Sequence, residues 1–321
     1  DTLGNILASD LLGDLGDNDE VYGFGERFDA LFQRGHILTL WQRDAWEGCI
    51  ASIRNQAYKN IPFFHNTNGY SLFINTTYRI RCDIGRDKND KIRFTSFGPV
   101  FDIFIWCCEP YSALQGYIML TGKPILPPKW VFEPWAGGGM GRWSKGPLKN
   151  NILEIVGVIK IFEELDIPHS ALYAEGARPD AKLFSEAALR NIKLLSWEYP
   201  AISSENAAKL LSNTPFEELP LLKITGMEKF EKNPPSYIDF THPKAIDLLR
   251  SHWKERINAG IAGTMVDFGD LVPDQAIFFN GQKGDEMHNF YLYYYTKSYN
   301  YLFKEARGDD FVLFQRGAAP G

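Results

Sequence analysis

The pattern of apolar and polar residues changes character once along the chain. From Val21 to about Met119 the apolar residues come in short runs that alternate or cluster: "LFQRGHILTLW", "GYSLFINTT", "YRIRCDI", "KIRFTSF" and "FDIFIWCC". Turn signals rich in Gly, Asn and Asp, such as "NTNG" and "GRDKND", separate them. Short strands at regular spacing, with side chains alternating between faces, predict an all-β sandwich here. "GKPILPPKW", Gly122 to Trp130, then gathers three prolines and reads as a connector. Beyond it the period lengthens. "KWVFEPW" predicts a strand, "LKNNILEIVGVIKIFEELDI" a helix, "HSALYAE" a strand, "DAKLFSEAALRN" a helix and "IKLLSWE" a strand. "SENAAKLLSN" and a long irregular stretch come next, then the helix "THPKAIDLLRSHWKERINAG". "IAGTMVD", "MHNFYLYYYTKSYNYLFKEARG" and "DFVLFQR" close the chain as strand, helix and strand. Strand–helix alternation with apolar strands predicts a parallel α/β array.

The expected organisation is therefore a β-sandwich domain over 1–121, a connector over 122–129 and an α/β domain over 130–321. Five α/β strands are expected, beginning near Trp130, Ala171, Lys193, Gly263 and Phe311. A (β/α)8 barrel has eight strands and takes about 250 residues, whereas Pro127 to Gly321 supplies roughly 195. A doubly wound open sheet needs no more than five strands, but usually shows a Gly-rich phosphate loop after the first. "WAGGGMGRW", Trp135 to Trp143, fits neither GxGxxG nor GxxxxGK[ST]. It reads as turns or as a loop over a pocket.

Composition narrows the function. The 321 residues carry 40 acidic against 34 basic side chains, which gives no footprint for nucleic acid. No apolar run approaches the ~20 residues of a membrane-spanning helix. The four cysteines, Cys49, Cys82, Cys107 and Cys108, form no CxxC pair and no zinc spacing with histidine. Cys107 and Cys108, adjacent in an expected strand, would face opposite ways, so no disulfide framework is expected. The 23 Phe, 15 Tyr and 8 Trp fill cores, and can also offer platforms to the apolar faces of sugars. The chain begins without Met and stops just after a buried-looking strand, so both ends are expected to be internal to a longer protein. The lack of a leader sequence leans toward the cytoplasm without fixing the compartment.

Nine stretches, in order, resemble glycoside hydrolase family 31, the retaining α-glucosidases and α-xylosidases with their transglycosylase relatives. They are "YGFGERFD", "LWQRDAW", "QAYKNIPFF", "GYSLFINTT", "LTGKPILPPKW", "YIDFTHPKA", "GTMVDFGDLVP", "MHNFYLYYY" and "LFQRG". The resemblance implies a β-sandwich followed by an incomplete (β/α)8 barrel, of which this chain holds the first five strands.

Asp267 would be the nucleophile. It sits at the end of the fourth α/β strand, and barrel enzymes place their chemistry at the C-terminal ends of strands. A carboxylate there can attack an anomeric carbon; its plainer alternative is an Asp capping the next element. Asp270 stands at the second acidic position of that motif, where relatives often carry Glu, and is expected to support a neighbouring group or simply to cap. Arg316 ends the fifth strand and would lie beside the nucleophile and the bound sugar. Glu175 ends the second strand, where relatives commonly have Asp, and would bind sugar hydroxyls. Trp135 and Trp197 match aromatic positions of the sugar pocket, with core packing as the alternative. Asp44 matches a sandwich loop that reaches over the barrel mouth. His288, near a helix start, reads as structural. No metal site and no cofactor are implied.

Retaining hydrolysis uses two carboxyls about 5–5.5 Å apart. The resemblance puts the second, the acid/base, on an Asp after a sixth strand, beyond Gly321. The expected substrate is an α-linked oligosaccharide or glycoside, with an α-transglucosylase or a non-catalytic carbohydrate-binding relative as alternatives. The chain by itself is expected to show little or no activity. A homo-oligomer of the full-length protein stays open, as do the sugar and its linkage.

Overall fold

The structure is a computed structural model that describes residues 8–44, 57–99, 102–137, 152–174, 181–203, 218–224 and 236–318. Among these residues eight strands come first, in two antiparallel sheets. One has the order β1–β7–β6–β3, from Ser9–Asp14, Lys91–Ser96, Ile80–Ile84 and His36–Leu40. The other has the order β2–β4–β5–β8, from Val21–Gly25, Asn60–Asn66, Tyr70–Ile74 and Ile103–Trp106. Alternation explains the layering: β7 buries Ile92, Phe94 and Ser96 while Arg93 faces out. Inward side chains of both sheets, among them Val21, Phe24, Leu38, Phe64, Ile80 and Phe94, form one core.

The second sheet is covered on its other face too. Helix α1, Pro110–Thr121, lays Ala113 and Tyr117 on Phe63 and Phe73, with Tyr117 stacked on Phe63 at 4.5 Å. A sheet buried on both faces has apolar clusters rather than alternation, which is the pattern of "NIPFF" and "SLFI". The all-β expectation to Met119 missed α1. Cys107 and Cys108 follow β8 instead of lying in a strand, and with Cys82 they are free thiols.

Five parallel strands follow: β9 (Trp135–Gly137), β10 (Ala171–Tyr173), β11 (Lys193–Glu198), β15 (Gly263–Val266) and β17 (Val312–Gln315). Two small antiparallel pairs lie on the excursions between them: β12 (Ala201–Ile202) with β14 (Ser236–Tyr237), and β13 (Lys223–Ile224) with β16 (Ala276–Ile277). In space the five parallel strands stand in chain order. A doubly wound sheet reverses direction at its switch point, so this order removes that alternative and is that of a barrel progressing strand by strand. One expected strand was misplaced: Lys129–Phe132 is a 3-10 turn, and β9 begins only at Trp135.

Among the described residues of this half, the helices are α2 (Ile152–Glu164), α3 (Ala181–Leu189), α4 (Ala245–Ala259) and α5 (Gly284–Arg307). "SENAAKLLSN" lies outside the described residues, as do Cys49 and residues 138–143 of "WAGGGMGRW". Helix α5 buries Met287, Tyr291, Leu292, Tyr295, Tyr299, Leu302 and Phe303, a stripe at helical spacing. Asp285 and Glu286 in its first turn and Lys304 and Arg307 in its last complement the helix dipole. Helix α4 buries Ala245, Leu249 and Trp253 and ends at Gly260 in the left-handed region, a usual stop.

Strand parity divides the α/β half into two layers. Ala136, Leu172, Leu194 and Val266 face the helices in the larger core. Trp135, Ala171, Tyr173, Leu195, Val312 and Phe314 pack together on the opposite face, the barrel interior. The ends of β11, β15 and β17 therefore deliver side chains to one shared mouth.

Candidate active site

Strand β15 ends at Val266, yet the Asp267 N–H still bonds the carbonyl of Glu198 at 3.1 Å. The ladder thus continues through Asp267, and its side chain keeps the parity of Met265. Register pairs Met265 with Trp197 on one side and Phe314 on the other. Two residues further on, Asp267 and Arg316 become neighbours at the mouth.

The carboxylate of Asp267 is held at both oxygens. Trp197 donates its indole N–H to Oδ2 at 2.8 Å, and the Phe268 backbone N–H bonds Oδ1 at 2.9 Å. Arg316 Nε stands 3.3 Å from the same Oδ1. Phe268 takes φ +57°, unusual for a non-glycine residue, and it is this turn that brings its N–H back to Asp267. Its ring then lies 4.1 Å from the Arg316 guanidinium and stands edge-on to Trp197 at 6.0 Å.

Arg316 is the centre of the cluster. Besides Asp267 it contacts Asp270 Oδ1 at 2.9 Å and Asp44 Oδ2 at 3.5 Å. Its guanidinium is covered by Phe268 and, at 4.9 Å, by the ring of Tyr58. Tyr58 in turn donates its hydroxyl to Asp44 Oδ1 at 3.1 Å. Asp44 and Tyr58 belong to the sandwich half, so both halves of the molecule build the site. One cation thus faces three carboxylates, and a planar fork is the side-chain shape that reaches them all. Burial alone would pull the Arg316 pKa down; Asp270, Asp267 and Asp44 outweigh it, and the net shift is upward. Burial pushes Asp270 above the usual carboxylate range, against the opposing pull of Arg316. Burial and the Asp44 charge push the Tyr58 phenol up to about 12, so it stays a donor.

The structure gathers Asp44, Trp197, Asp267, Asp270 and Arg316 from the sequence candidates. Trp135 is placed elsewhere: at the foot of β9, level with Ala171, it packs on Trp130 and Phe314 as interior filling. Glu175 lies outside the described residues. Sequence reasoning passed over Tyr58 and Phe268. Both stand inside motifs it used, "QAYKNIPFF" and "GTMVDFGDLVP", but an aromatic residue covering an arginine has no spacing signature of its own.

Comparison with known proteins agrees with this architecture. Residues 10–83 match the glycosyl hydrolase 31 N-terminal galactose mutarotase-like domain, and residues 124–321 match the glycosyl hydrolases family 31 TIM-barrel domain. The chain belongs to glycoside hydrolase family 31. Among curated family 31 proteins it is 26% identical over 336 residues to the alpha-xylosidase XylQ of Lactiplantibacillus pentosus, covering 98% of this chain and 42% of that protein. It is 24% identical to the isomaltosyltransferase of Sporosarcina globispora, covering 95% of this chain and 32% of that one. The chain thus spans less than half the length of these relatives. Among solved structures, the cycloalternan-forming enzyme from Listeria monocytogenes in complex with pentasaccharide substrate superposes with TM-score 0.82 at 18% identity, covering 98% of this chain and 34% of that one. The cycloalternan-degrading enzyme from Trueperella pyogenes in complex with isomaltose gives 0.81 at 19%, covering 98% and 51%. At such identities the shared structure speaks to the fold alone.

Proposed function

We propose that the protein containing this chain is a retaining glycoside hydrolase acting on α-linked glucosides or related α-glycosides, with Asp267 as nucleophile. In the first step a carboxylate oxygen of Asp267 bonds to the anomeric carbon while the bond from that carbon to the leaving oxygen breaks. A second carboxyl gives its proton to the departing oxygen. In the second step water gives that proton back to the same group and displaces Asp267 from the sugar. Among the described residues no second carboxyl is given this role by position. Asp270 is tethered three residues from Asp267 and is engaged by Arg316. We assign the acid/base to the part of the protein outside this chain.

The observation that carries the reading is the presentation of Asp267. It stands at the end of a barrel strand, on the interior parity, with indole and amide N–H groups and a guanidinium around its oxygens. The alternative of a cap is less well supported, because the only backbone N–H that Asp267 takes among the described contacts is that of its own neighbour Phe268. Transfer to a second sugar instead of water uses the same first step. Likeness to an isomaltosyltransferase keeps transglycosylation as a second reading.

The test is covalent. The full-length protein, incubated with a 5-fluoro-α-glycosyl fluoride, should gain one glycosyl mass on the peptide holding Asp267, and Asp267→Asn should abolish it. A label on another carboxylate, or steady turnover by Asp267→Asn, would reject the assignment.

A further inference from the structure

His288, buried, and Asn289, half-buried, near the start of α5, grip the chain just beyond β3. His288 is 5% exposed. Its ring stacks on Trp41 at 3.9 Å with an interplanar angle of 6°. Nε2 stands 2.6 Å from the carbonyl of Gln42, and Nδ1 stands 2.6 Å from the carbonyl of Val272. A neutral imidazole donates at one of these contacts, the cation at both. Asn289 completes the hold: its Oδ1 accepts the Gln42 backbone N–H at 2.8 Å and its Nδ2 reaches the Leu40 carbonyl at 3.3 Å.

The spacing of these anchors relates them to the site. Gln42 lies two residues before Asp44, and Val272 lies two residues after Asp270. One imidazole therefore ties together the two stretches whose carboxylates flank Arg316. Asp44 arrives from the sandwich, its Oδ2 3.5 Å from the guanidinium and its Oδ1 taking the Tyr58 hydroxyl at 3.1 Å. Its reach depends on how the Leu40–Gln42 segment is docked. Asp270, by contrast, is fixed from within the barrel.

We propose that His288 is a positioning residue that docks the Leu40–Gln42 segment on the barrel and so sets Asp44 against Arg316. The proposal rests on the reading of Asp267 as nucleophile for its kinetic consequence, but not for the docking itself. His288 touches no reacting atom. Without it, Asp44 moves away from Arg316, and the guanidinium is shared between Asp267 and Asp270 only.

Two measurements on the full-length protein decide it. In the first, amide hydrogen exchange over residues 38–44 is compared in wild type, His288→Ala and Asn289→Ala. Both variants should exchange about tenfold faster there, while a core variant of equal thermal loss, Leu249→Ala, should not. Unchanged exchange in both variants would overturn the docking role. In the second, a double-mutant cycle pairs His288→Ala with Asp44→Asn. His288→Ala alone should lower kcat/KM by about 10–100-fold, mainly in kcat, as displaced catalytic groups do. In the Asp44→Asn background its further effect should fall below about threefold, and His288→Gln, which keeps one donor, should recover part of the rate. A full-size effect in that background means that His288 acts on stability in general, and the positioning role falls. If His288→Ala does not fold, the Asn289→Ala and His288→Gln variants carry both comparisons. A wild-type protein inert toward every α-glycoside removes the reading of Asp267 and the kinetic half of the proposal, whereas exchange still decides the docking.

Discussion

At the scale of the residue, the site is a problem of charge. Asp44, Asp267 and Asp270 converge on Arg316, and all four side chains are largely buried, with Asp270 at 1% side-chain exposure. Three carboxylates with one cation leave negative charge out of water, and the most deeply buried member bears the consequence: Asp270 is held above its usual pKa. A raised carboxylate pKa means that ionisation is disfavoured in the fold. The unfavourable contribution is absent below the unfolded value, near pH 4, grows as pH rises from there to the raised folded value, and is complete above it. Asp270→Asn keeps the shape and removes the charge. Its melting temperature should exceed that of wild type by about 2–4 °C at pH 7, with the two converging below about pH 4. A melting scan at both pH values checks this, and a lower melting point at pH 7 would contradict it. Arg316 tests the shape of the cation. Lysine keeps the charge but not the planar fork lying between Phe268 and Tyr58. Arg316→Lys should lower kcat roughly 100-fold while leaving the folded state intact by circular dichroism. Wild-type kcat in that variant would show that charge alone suffices.

At the scale of the element, helix α5 is what sets the turns after β15 and β17 side by side. Leu292 fills the space beside Gly269, just after Asp267, and beside Gly317, just after Arg316; a Cβ on either glycine would run into a methyl of Leu292. The strand ends can meet the helix this closely only because those residues are glycine. Leu292→Ala opens a cavity under both turns. It should cost about 2–5 kcal/mol, read by chemical denaturation, and should lower activity beyond what stability explains. How much of this was legible in the sequence depends on whether one element or several are involved. Apolar periodicity placed Asp267 and Arg316 at strand ends, whereas the roles expected of them came from the resemblance to family 31. The parallel array could be read from the same periodicity, although β9 was placed on residues that form a 3-10 turn, since "KWVF" is as apolar as a strand. Helix α1 was missed because the sheet beneath it is buried on both faces, so the clustering of "NIPFF" and "SLFI" gave no sign of what covers it. Tyr58, Phe268 and His288 act through contacts across elements far apart in sequence. Local pattern holds no record of such contacts.

At the scale of the whole molecule, the question is what keeps the sandwich against the barrel well enough for Asp44 to belong to the site. Two kinds of contact cross the joint, and magnitudes separate them. Arg79 and Asp274 form an ion pair at 3.6 Å, but with 43% and 44% of their side chains exposed. Such a pair contributes about 0–1 kcal/mol, because water screens it and both chains lose freedom. Gln42 is wholly buried. Its amide N–H group bonds the carbonyl of Ala318, beyond β17, and its Oε1 receives the backbone N–H of Asn60 at 3.3 Å. Beside it, Lys59 bridges to Ala318 in parallel, so the strand edges of the two halves are sewn directly together. Removing the amide strands buried polar groups on both sides, each at about 1–3 kcal/mol. Gln42→Leu should therefore destabilise the full-length protein by about 2–5 kcal/mol in urea, and Asp274→Ala by less than about 1. The physical order matters more than either value: if Asp274→Ala proves the more damaging, surface charge holds the halves together and the buried amide is incidental. If Gln42→Leu does, and also speeds exchange over residues 38–44 as loss of His288 should, then docking and site assembly are one cooperative event.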